Sequence, residues 1–345
     1  MDFGLHLSVT EVMTLFALRV LRWPTIAILA VCLGVPGAAQ QPSARLEPLK
    51  RTKTAFIEFA TAPFPYDGPM PDKDASRDGR PFLDISVGHR RGHRTRIGRV
   101  LWEDVTFRER RVMLHMPRGF DIRRPGVMVM FFHGHKATLR ADVRDRQKVP
   151  AQVSESGMNA VLVAPQFAVN AVDSSAGKFW QPDSFARFVE EAGQKLAELY
   201  GHPAAAEAFA SMPVVLVVYS GGYMAAAWCL EVGGAGSRLR GVVLLDALYG
   251  EFDKFADWIA NNPERFFVSA YTKSTDKNHA RFKTMLTEKG IAFETEMKPD
   301  AWKQGVTFLP ILKADPEIKH EDFVTQGWTE MPVKDLLRRL DEYRR

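Results

Sequence analysis

The chain has 345 residues, of which 46% are hydrophobic and 25% are charged, and its formal net charge at pH 7 is +5. This is ordinary globular composition with enough apolar material for a sizeable core, so it excludes a chain too polar to fold. The length fits one large α/β domain or two small ones.

The N-terminus has the pattern of a signal peptide over residues 1–39. Arg19 and Arg22 precede an apolar run at 25–35, and small residues at 37–39 follow it. This pattern predicts cleavage after residue 39, with Met13 as an alternative start of the chain. An uncleaved anchor is the other interpretation, but the run is shorter than the roughly 20 residues that span a membrane. We therefore expect a periplasmic or secreted protein with no stable membrane span after cleavage.

Residues 40–96 are predicted to be a leader and an irregular arm in front of a regular domain at residues 97–345. The part from 61 to 96 is rich in Pro, Gly, Asp and Arg, although Thr54–Ala60 has the pattern of a strand. After cleavage Cys229 is the one remaining cysteine. No intrachain disulfide is then possible, so an exported form must rely on its core.

From Ile97 onward the pattern becomes regular. A β-hairpin is predicted from Arg99–Phe107 and Arg110–Met116. Short apolar runs predict further strands at Val127–Phe132, Ala160–Ala164, Val214–Tyr219, Gly241–Leu245, Phe266–Tyr271, Ile291–Met297 and Val306–Leu309. Apolar residues at helical spacing lie between these strands and near the C-terminus. The pattern predicts an α/β fold with one mostly parallel sheet, an antiparallel start and helices on both faces.

The segment Val214–Leu230 contains the candidate nucleophile. Its apolar, β-branched run ends in Tyr219-Ser220-Gly221-Gly222, and a helical segment of small residues follows at once. A serine on a sharp turn between a strand and a helix holds its hydroxyl clear of the sheet, where a base and a substrate reach it. Ser220 is therefore the candidate nucleophile.

Other polar residues follow the ends of predicted strands. They are His133 and His135 in a His-Gly-His segment, Asp246, Asp276 and the late His320. In a mostly parallel sheet, catalytic groups collect at the carboxyl ends of the strands. The chain order of serine, acid and histidine is that of α/β-hydrolases and differs from the two common serine-protease orders.

With its His-Gly segment, its serine turn and its late histidine, the chain resembles the α/β-hydrolase superfamily of esterase- and lipase-like serine hydrolases. The resemblance covers about residues 97–345 and implies a single α/β-hydrolase-type catalytic domain there. It implies that His320 is the base for Ser220 and that a carboxylate orients its imidazole. It also implies an oxyanion hole from the backbone N–H groups of Gly221 and His135. The family has a small residue where this chain has Val218, so we expect crowding at the turn.

Two aspartates compete for the role of the acid. Asp246 ends an apolar strand directly, where a buried carboxylate needs a partner such as an imidazole. Asp276 follows the next strand, which is the usual location in the family. We favour Asp246 and keep Asp276 as the alternative.

The two early histidines allow other roles. His133 is the second candidate base, although in hydrolases with a His-Gly segment this histidine usually shapes the loop. His133 and His135 also suggest a metal pair, but no third ligand with clear spacing accompanies them. We therefore predict neither a metal nor an organic cofactor.

The segment Gln166–Gln181 is long and polar for a simple connection, and it leaves the carboxyl end of a predicted strand. We expect it to cover the pocket and to contact substrate through Lys178 and Trp180. An ordinary surface excursion is the alternative.

Together these patterns predict an exported serine hydrolase. Its substrate would be a small-molecule or polymeric carboxylic ester, or less readily an amide, cleaved through an acyl-enzyme. Two other functions stay open, which are an amidase or peptidase acting on envelope material and a hydrolase-like binding protein without catalysis. Nucleic acid is not an expected partner, because no basic helix or aromatic-interleaved sheet motif is present.

Overall fold

The computed structural model describes residues 46–71, 79–312 and 318–345. The predicted signal peptide at residues 1–39 lies outside this described part, and so does the alternative start at Met13. The described residues belong to one compact unit that extends from Ala44 to Arg345.

Eleven strands are present in the described residues. In chain order they are β1 (Lys53–Glu58), β2 (Ile85–Val87), β3 (Arg90–Arg94), β4 (Val100–Trp102), β5 (Arg111–Met116), β6 (Val127–Phe132), β7 (Ala160–Pro165), β8 (Val214–Tyr219), β9 (Leu239–Leu245), β10 (Phe266–Tyr271) and β11 (Gly305–Pro310). Eight of them form the main sheet in the order β1-β5-β7-β6-β8-β9-β10-β11. Strand β5 pairs antiparallel with β1 and β7, and the other neighbouring pairs are parallel. The predicted mostly parallel sheet with an antiparallel start is confirmed.

Helices cover both faces of this sheet, as predicted. The α-helices of the described residues are α1 (Glu103–Thr106), α2 (Val149–Glu155), α3 (Ser184–Tyr200), α4 (Ala205–Ser211), α5 (Tyr223–Glu231), α6 (Phe252–Asn261), α7 (Asp276–Glu288) and α8 (Pro332–Arg338). Buried residues of α3 to α7 belong to one apolar core, and those of α2 and α8 belong to a second. Along β6, Met128 and Met130 pack in the first core, whereas Val127 and Val129 pack in the second. The strand is apolar throughout because both of its faces are buried.

The predicted hairpin between Arg99–Phe107 and Arg110–Met116 is wrong. Glu103–Thr106 form α1 instead, and β5 pairs with β1 from much earlier in the chain. Glu103 and Asp104 occupy the first turn of α1. Carboxylates are stabilising at a helix N-terminus, so these two residues favour a helical turn over a continued strand.

The pairing of β1 also changes the domain boundary. The strand predicted at Thr54–Ala60 exists at Lys53–Glu58, and it lies in the main sheet rather than in a separate arm. The boundary predicted at residue 97 therefore does not divide the structure. The rest of the predicted arm is not wholly irregular either, because β2 and β3 join β4 in a small antiparallel sheet.

The strand predicted at Ile291–Met297 does not form. Glu294 makes a single isolated bridge with Thr307 of β11. Ile291 and Phe293 pack against the core but are only partly buried, and no residue of the segment is fully buried.

The carboxyl ends of the parallel strands meet at one edge of the main sheet. His133 follows β6 there, Ser220 follows β8, and Asp246 follows β9. His320 lies beyond β11 in the 3₁₀ turn His320–Asp322. Among the described residues, no helix is both long and apolar enough to cross a membrane.

Candidate active site

Ser220 occupies a sharp turn between β8 and α5. Residues Ser220–Gly222 form one turn of 3₁₀ helix, and Ser220 has a left-handed φ of 52°. A non-glycine residue in this region of φ is uncommon and costs roughly 1–2 kcal/mol, so the surrounding structure must hold it there. The turn forms even though the bulky Val218 precedes it, because the Val218 side chain is buried in the core on the α3–α7 side. The crowding expected at Val218 therefore does not prevent the turn.

The turn is possible because glycines surround the serine. A Cβ placed on Gly134 would lie 2.7 Å from the Ser220 Cβ, which is closer than real side chains approach. A Cβ on Gly222 would lie 3.0 Å from the carbonyl oxygens of Phe132 and His133. The segment after β6 and the serine turn therefore touch backbone to backbone, and larger residues at these positions would force them apart.

His320 joins Ser220 to Asp246. Its Nε2 lies 2.7 Å from the Ser220 Oγ, and its Nδ1 lies 2.7 Å from the Asp246 Oδ2. An ionised carboxylate only accepts hydrogen bonds, so Nδ1–H donates to Asp246. The neutral ring then accepts from the Ser220 hydroxyl at Nε2. This is the tautomer in which an imidazole can take a proton from a serine.

Two tyrosines and an arginine hold the histidine loop in place. The Tyr219 hydroxyl donates to the His320 carbonyl at 2.8 Å, and the two rings stack at a centroid distance of 5.2 Å. Arg146 donates to the Glu321 carbonyl at 3.0 Å. The Tyr249 ring lies edge-on to His320 with the centroids 5.9 Å apart. The imidazole is therefore oriented by its neighbours as well as by Asp246.

Asp246 is fully buried in a cage of hydroxyl groups from the segment after β10. Its carboxylate accepts from the hydroxyls of Thr272 at 2.7 Å, Ser274 at 2.6 Å and Thr275 at 2.6 Å, and from the Thr272 N–H at 3.1 Å. Burial alone would raise the pKa of Asp246. The hydrogen bonds from His320 and from these three residues outweigh burial and hold the pKa well below its usual value. Asp246 is therefore ionised at neutral pH.

Asp276 does not reach the histidine. It is the first residue of α7, where a carboxylate favours the helix N-terminus. Its neighbour Thr275 is the residue that contacts Asp246. Of the two aspartates left open by the sequence, the structure places Asp246 against His320 and gives Asp276 a helix-terminal position.

His133 is buried and shapes the loop after β6. Its Nδ1 donates to the Gly134 carbonyl at 2.8 Å, and its Nε2 accepts from the Phe167 N–H at 2.9 Å. Gln166 Nε2 lies 2.9 Å from the same ring nitrogen. Burial lowers the pKa of His133 to about 4, so the ring is neutral. Both ring nitrogens are engaged away from Ser220, so His133 is not placed to act as its base.

His135 and Gly221 lie side by side next to the serine. A Cβ on Gly221 would overlap the His135 ring, so the two residues are in contact across the turn. The His135 Nε2 is 2.7 Å from the Ser174 Oγ. The structure thus brings together both residues whose backbone N–H groups were expected to form the oxyanion hole.

Of the two substrate contacts predicted in the segment Gln166–Gln181, the structure places one at the cleft and the other away from it. Lys178 turns away from the cleft and donates to the Ala60 carbonyl at 2.9 Å, so the prediction for Lys178 is not supported. Trp180 does line the cleft, and its Nε1 has no hydrogen-bond partner among the described residues. Phe179 between them is fully buried.

An open cleft of about 1270 Å³ adjoins these residues. Ser220 and His320 do not line the cleft themselves, but two of its lining residues touch their surroundings. The His135 ring lies against Gly221, and the Tyr249 ring is 5.9 Å from the His320 ring. Other walls of the cleft come from the β3–β4 turn, the segment Gln166–Gln181 and the first turns of α6 and α7. The cleft gives a substrate access to the edge of the sheet where the serine lies.

Sequence reasoning missed the cage around Asp246 and the tyrosine that supports His320. The signal for the cage was present, because Thr272, Ser274 and Thr275 follow β10 directly and β10 pairs with β9. Within the described ranges, no group of three or more His, Cys, Asp or Glu side chains is placed to hold a metal ion.

No family model and no curated protein matches the chain. Solved structures with a similar fold include the feruloyl esterase module from Clostridium thermocellum, at 13% identity and a TM-score of 0.44 over 78% of this chain and 95% of that one. An S-formylglutathione hydrolase from Agrobacterium tumefaciens is 11% identical, with a TM-score of 0.42 over 76% and 98%. Thermogutta terrifontis esterase 2 is 15% identical, with a TM-score of 0.40 over 68% and 87%. These similarities are distant, so the description of the fold rests on the strand order and pairing of this chain alone.

Proposed function

We propose that the chain is a serine hydrolase that cleaves a carboxylic ester through an acyl-enzyme on Ser220. The observation that carries the proposal is the continuous hydrogen-bonded series from the Ser220 hydroxyl through His320 to Asp246, with both contacts at 2.7 Å. A neutral serine hydroxyl is a weak nucleophile, and a positioned base oriented by a third group activates it. The left-handed turn at Ser220 adds to this support, because it raises the hydroxyl above the sheet edge.

In the proposed reaction, Ser220 Oγ attacks the ester carbonyl carbon while its proton passes to Nε2 of His320. The tetrahedral oxyanion accepts hydrogen bonds from the backbone N–H groups of Gly221 and His135. One such donor is typically worth about 3 kcal/mol of transition-state stabilisation. The imidazolium gives the proton to the alcohol oxygen as the C–O bond of the ester breaks. The alcohol departs, and the acyl group remains bound to Ser220. A water molecule then attacks the acyl carbon while His320 takes its proton. The bond to Ser220 Oγ breaks, the proton returns to Ser220, and the carboxylic acid is released.

Asp246 keeps its negative charge throughout these steps. Its low pKa means that it does not take the proton from His320 but stabilises the imidazolium while that cation exists. The hydroxyl cage supplies the donors that make a buried carboxylate tolerable. We assign Asp246 as the acid on this basis.

We also propose that the protein is exported and acts in the periplasm or outside the cell. The basis is the charged, apolar and small-residue sequence of residues 1–39. Determining the N-terminal residue of the protein recovered from a periplasmic or culture fraction tests this. A mature chain that begins near Gln40 supports export, and an intact N-terminus in the cytoplasmic fraction contradicts it.

Hydrolysis of p-nitrophenyl acetate by purified protein tests the enzymatic proposal. Wild type is expected to turn over the ester, and Ser220→Ala is expected to lower kcat/KM by at least 10³-fold. Ser211→Ala is the matched control, because Ser211 is an exposed serine on α4. Equal rates in wild type and Ser220→Ala would refute the proposal. Cleavage of amides but not esters would favour the amidase alternative.

A further inference from the structure

The exposed apolar side chains of the protein gather around the cleft. Five large hydrophobic residues are exposed in the described part of the chain, and three of these line the cleft. They are Ile97, which is 90% exposed, Val172 at 50% and Tyr249 at 37%. Single exposed apolar residues are normal on a protein surface, but a cluster of them around one opening marks a binding site.

Helix α5 provides the apolar floor of the cleft. Tyr223, Met224 and Trp228 line the cleft and are partly exposed, whereas Ala225 and Ala227 on the same helix are buried in the core. The helix starts immediately after the serine turn. At 1.5 Å per residue, the step from Tyr223 to Trp228 extends this floor by roughly 7 Å away from Ser220. An apolar group attached to a bound ester would therefore meet three apolar side chains along this helix.

The β3–β4 turn forms a wall of the cleft and holds Ile97 in place. Thr95 and Arg99 close the turn with a backbone hydrogen bond of 2.8 Å, and the Gly98 N–H donates to the Thr95 carbonyl at 2.9 Å. Below the turn, bidentate pairs join β3 to α1, namely Arg90 with Asp104 and Arg91 with Glu103. Ile97 is thus presented by an ordered turn, so its exposure is a property of the folded structure.

The volume of the cleft and the charges along its lining indicate which substrates fit it. Its volume of about 1270 Å³ exceeds the roughly 300–1000 Å³ of ordinary small-ligand pockets, so a short ester fills only a small part. The ionisable residues along its lining balance, with arginines at 96, 99 and 281 and acids at 173, 251 and 253. A balanced lining gives no net attraction for a substrate of either sign.

We propose that the ester cleaved at Ser220 carries a bulky, uncharged apolar group, and that Ile97 of the β3–β4 turn selects for it. The group contacts Tyr223, Met224 and Trp228 of α5, and Ile97 and Val172 add further apolar contacts. This inference rests on the proposed esterase function and adds the substrate class. It also gives the N-terminal small sheet a role, which is to complete the cleft.

Ester preference tests the inference in the full-length protein. Wild type is expected to show at least about tenfold higher kcat/KM for p-nitrophenyl octanoate than for p-nitrophenyl acetate, because additional methylene groups find apolar contact. An anionic acyl group with the same eight carbons, in p-nitrophenyl hydrogen suberate, is expected to give no such gain. Ile97→Ser should lower the ratio of the octanoate value to the acetate value by about fivefold. Octanoate no better than acetate in wild type would overturn the inference.

A matched variant separates the cleft from general surface effects. Val87 is 62% exposed on β2 of the same small sheet but does not line the cleft. Val87→Ser is therefore expected to change neither rate. Equal losses in the Val87→Ser and Ile97→Ser variants, or equal losses for both esters in Ile97→Ser, would show that Ile97 does not select substrate.

Binding without turnover distinguishes this inference from the proposed function. Trp180 and Trp228 line the cleft, so tryptophan fluorescence reports its occupancy. The Ser220→Ala variant is titrated with methyl octanoate and with methyl acetate. A saturable change for the octanoate alone, weakened about fivefold by Ile97→Ser, supports the substrate class even if no ester is hydrolysed. Hydrolysis of p-nitrophenyl acetate with no such binding difference keeps the enzyme assignment and overturns the substrate class.

Discussion

The carboxylate of Asp246 and the side chain of Ile97 have opposite surroundings. Asp246 is fully buried, and each of its oxygens accepts a hydrogen bond from a hydroxyl group. Ile97 is 90% exposed at the tip of a turn. Hydrogen bonds fix the position of the Asp246 carboxylate. The Ile97 side chain is instead free to contact a bound substrate.

This difference separates rate from selectivity. In the proposed mechanism every substrate depends on the orientation of His320. A change around Asp246 that alters this orientation should therefore cost a similar factor for all esters. A change at Ile97 removes apolar contact area, which only a large apolar substrate uses. Substitutions test this distinction. Those around Asp246 should change the rate of hydrolysis of all esters, and those at Ile97 should change the preference between esters.

The largest loss of activity is expected from Asp246→Asn. The amide keeps the shape but removes the charge that stabilises the His320 imidazolium, so kcat for p-nitrophenyl acetate should fall by about 10³- to 10⁴-fold. Asp276→Asn is the matched control, because Asp276 lies at the start of α7 and makes no contact with His320. It should stay within twofold of wild type. Comparable losses in both variants, with both folded by circular dichroism, would contradict the assignment of the acid.

A smaller effect is expected from the hydroxyl cage. Thr275→Val replaces the hydroxyl that contacts Asp246 at 2.6 Å with a methyl group of similar size. Loss of one hydrogen bond to a charged group is worth about 1.5 kcal/mol, so kcat should fall by roughly tenfold. Thr275→Ser keeps the hydroxyl and should restore most of the rate.

The split between kinetic constants shows whether Thr275 positions the acid. An effect on orientation lowers kcat and leaves KM near the wild-type value. Thr275→Ser as slow as Thr275→Val, or a change confined to KM, would mean that the hydroxyl does not act through Asp246. The ratio of octanoate to acetate rates should stay unchanged in both variants, in contrast to the fivefold change expected for Ile97→Ser.

Local sequence patterns were sufficient for most of the main sheet. The runs at Val127–Phe132 and Phe266–Tyr271 form strands over the predicted residues, because a strand buried on both faces is apolar throughout. The residues at the strand ends were also accessible to this reasoning. Parallel strands deliver their carboxyl ends to one edge, and the structure brings Ser220, Asp246 and His320 to hydrogen-bonding distance there.

Features that depend on distant parts of the chain were not accessible in the same way. Strand β5 lies between β1 and β7, and both of these partners are far from it along the chain, so the local pattern does not distinguish this pairing from a hairpin. The direction of Lys178 depends on the Ala60 carbonyl, which lies far away in the sequence. The position of Ile97 over the cleft likewise depends on where the small sheet packs. Local patterns do not contain these contacts.

Covalent labelling of the full-length protein with a fluorophosphonate, followed by peptide mass spectrometry, directly tests whether Ser220 is an activated nucleophile. Such a probe reacts with a serine that a neighbouring base activates. We expect a single adduct on the peptide that contains Ser220, no adduct in Ser220→Ala, and strongly reduced labelling in His320→Ala. A folded wild-type protein that takes up no label, or takes it up at another serine, would contradict the assignment of Ser220 as the nucleophile.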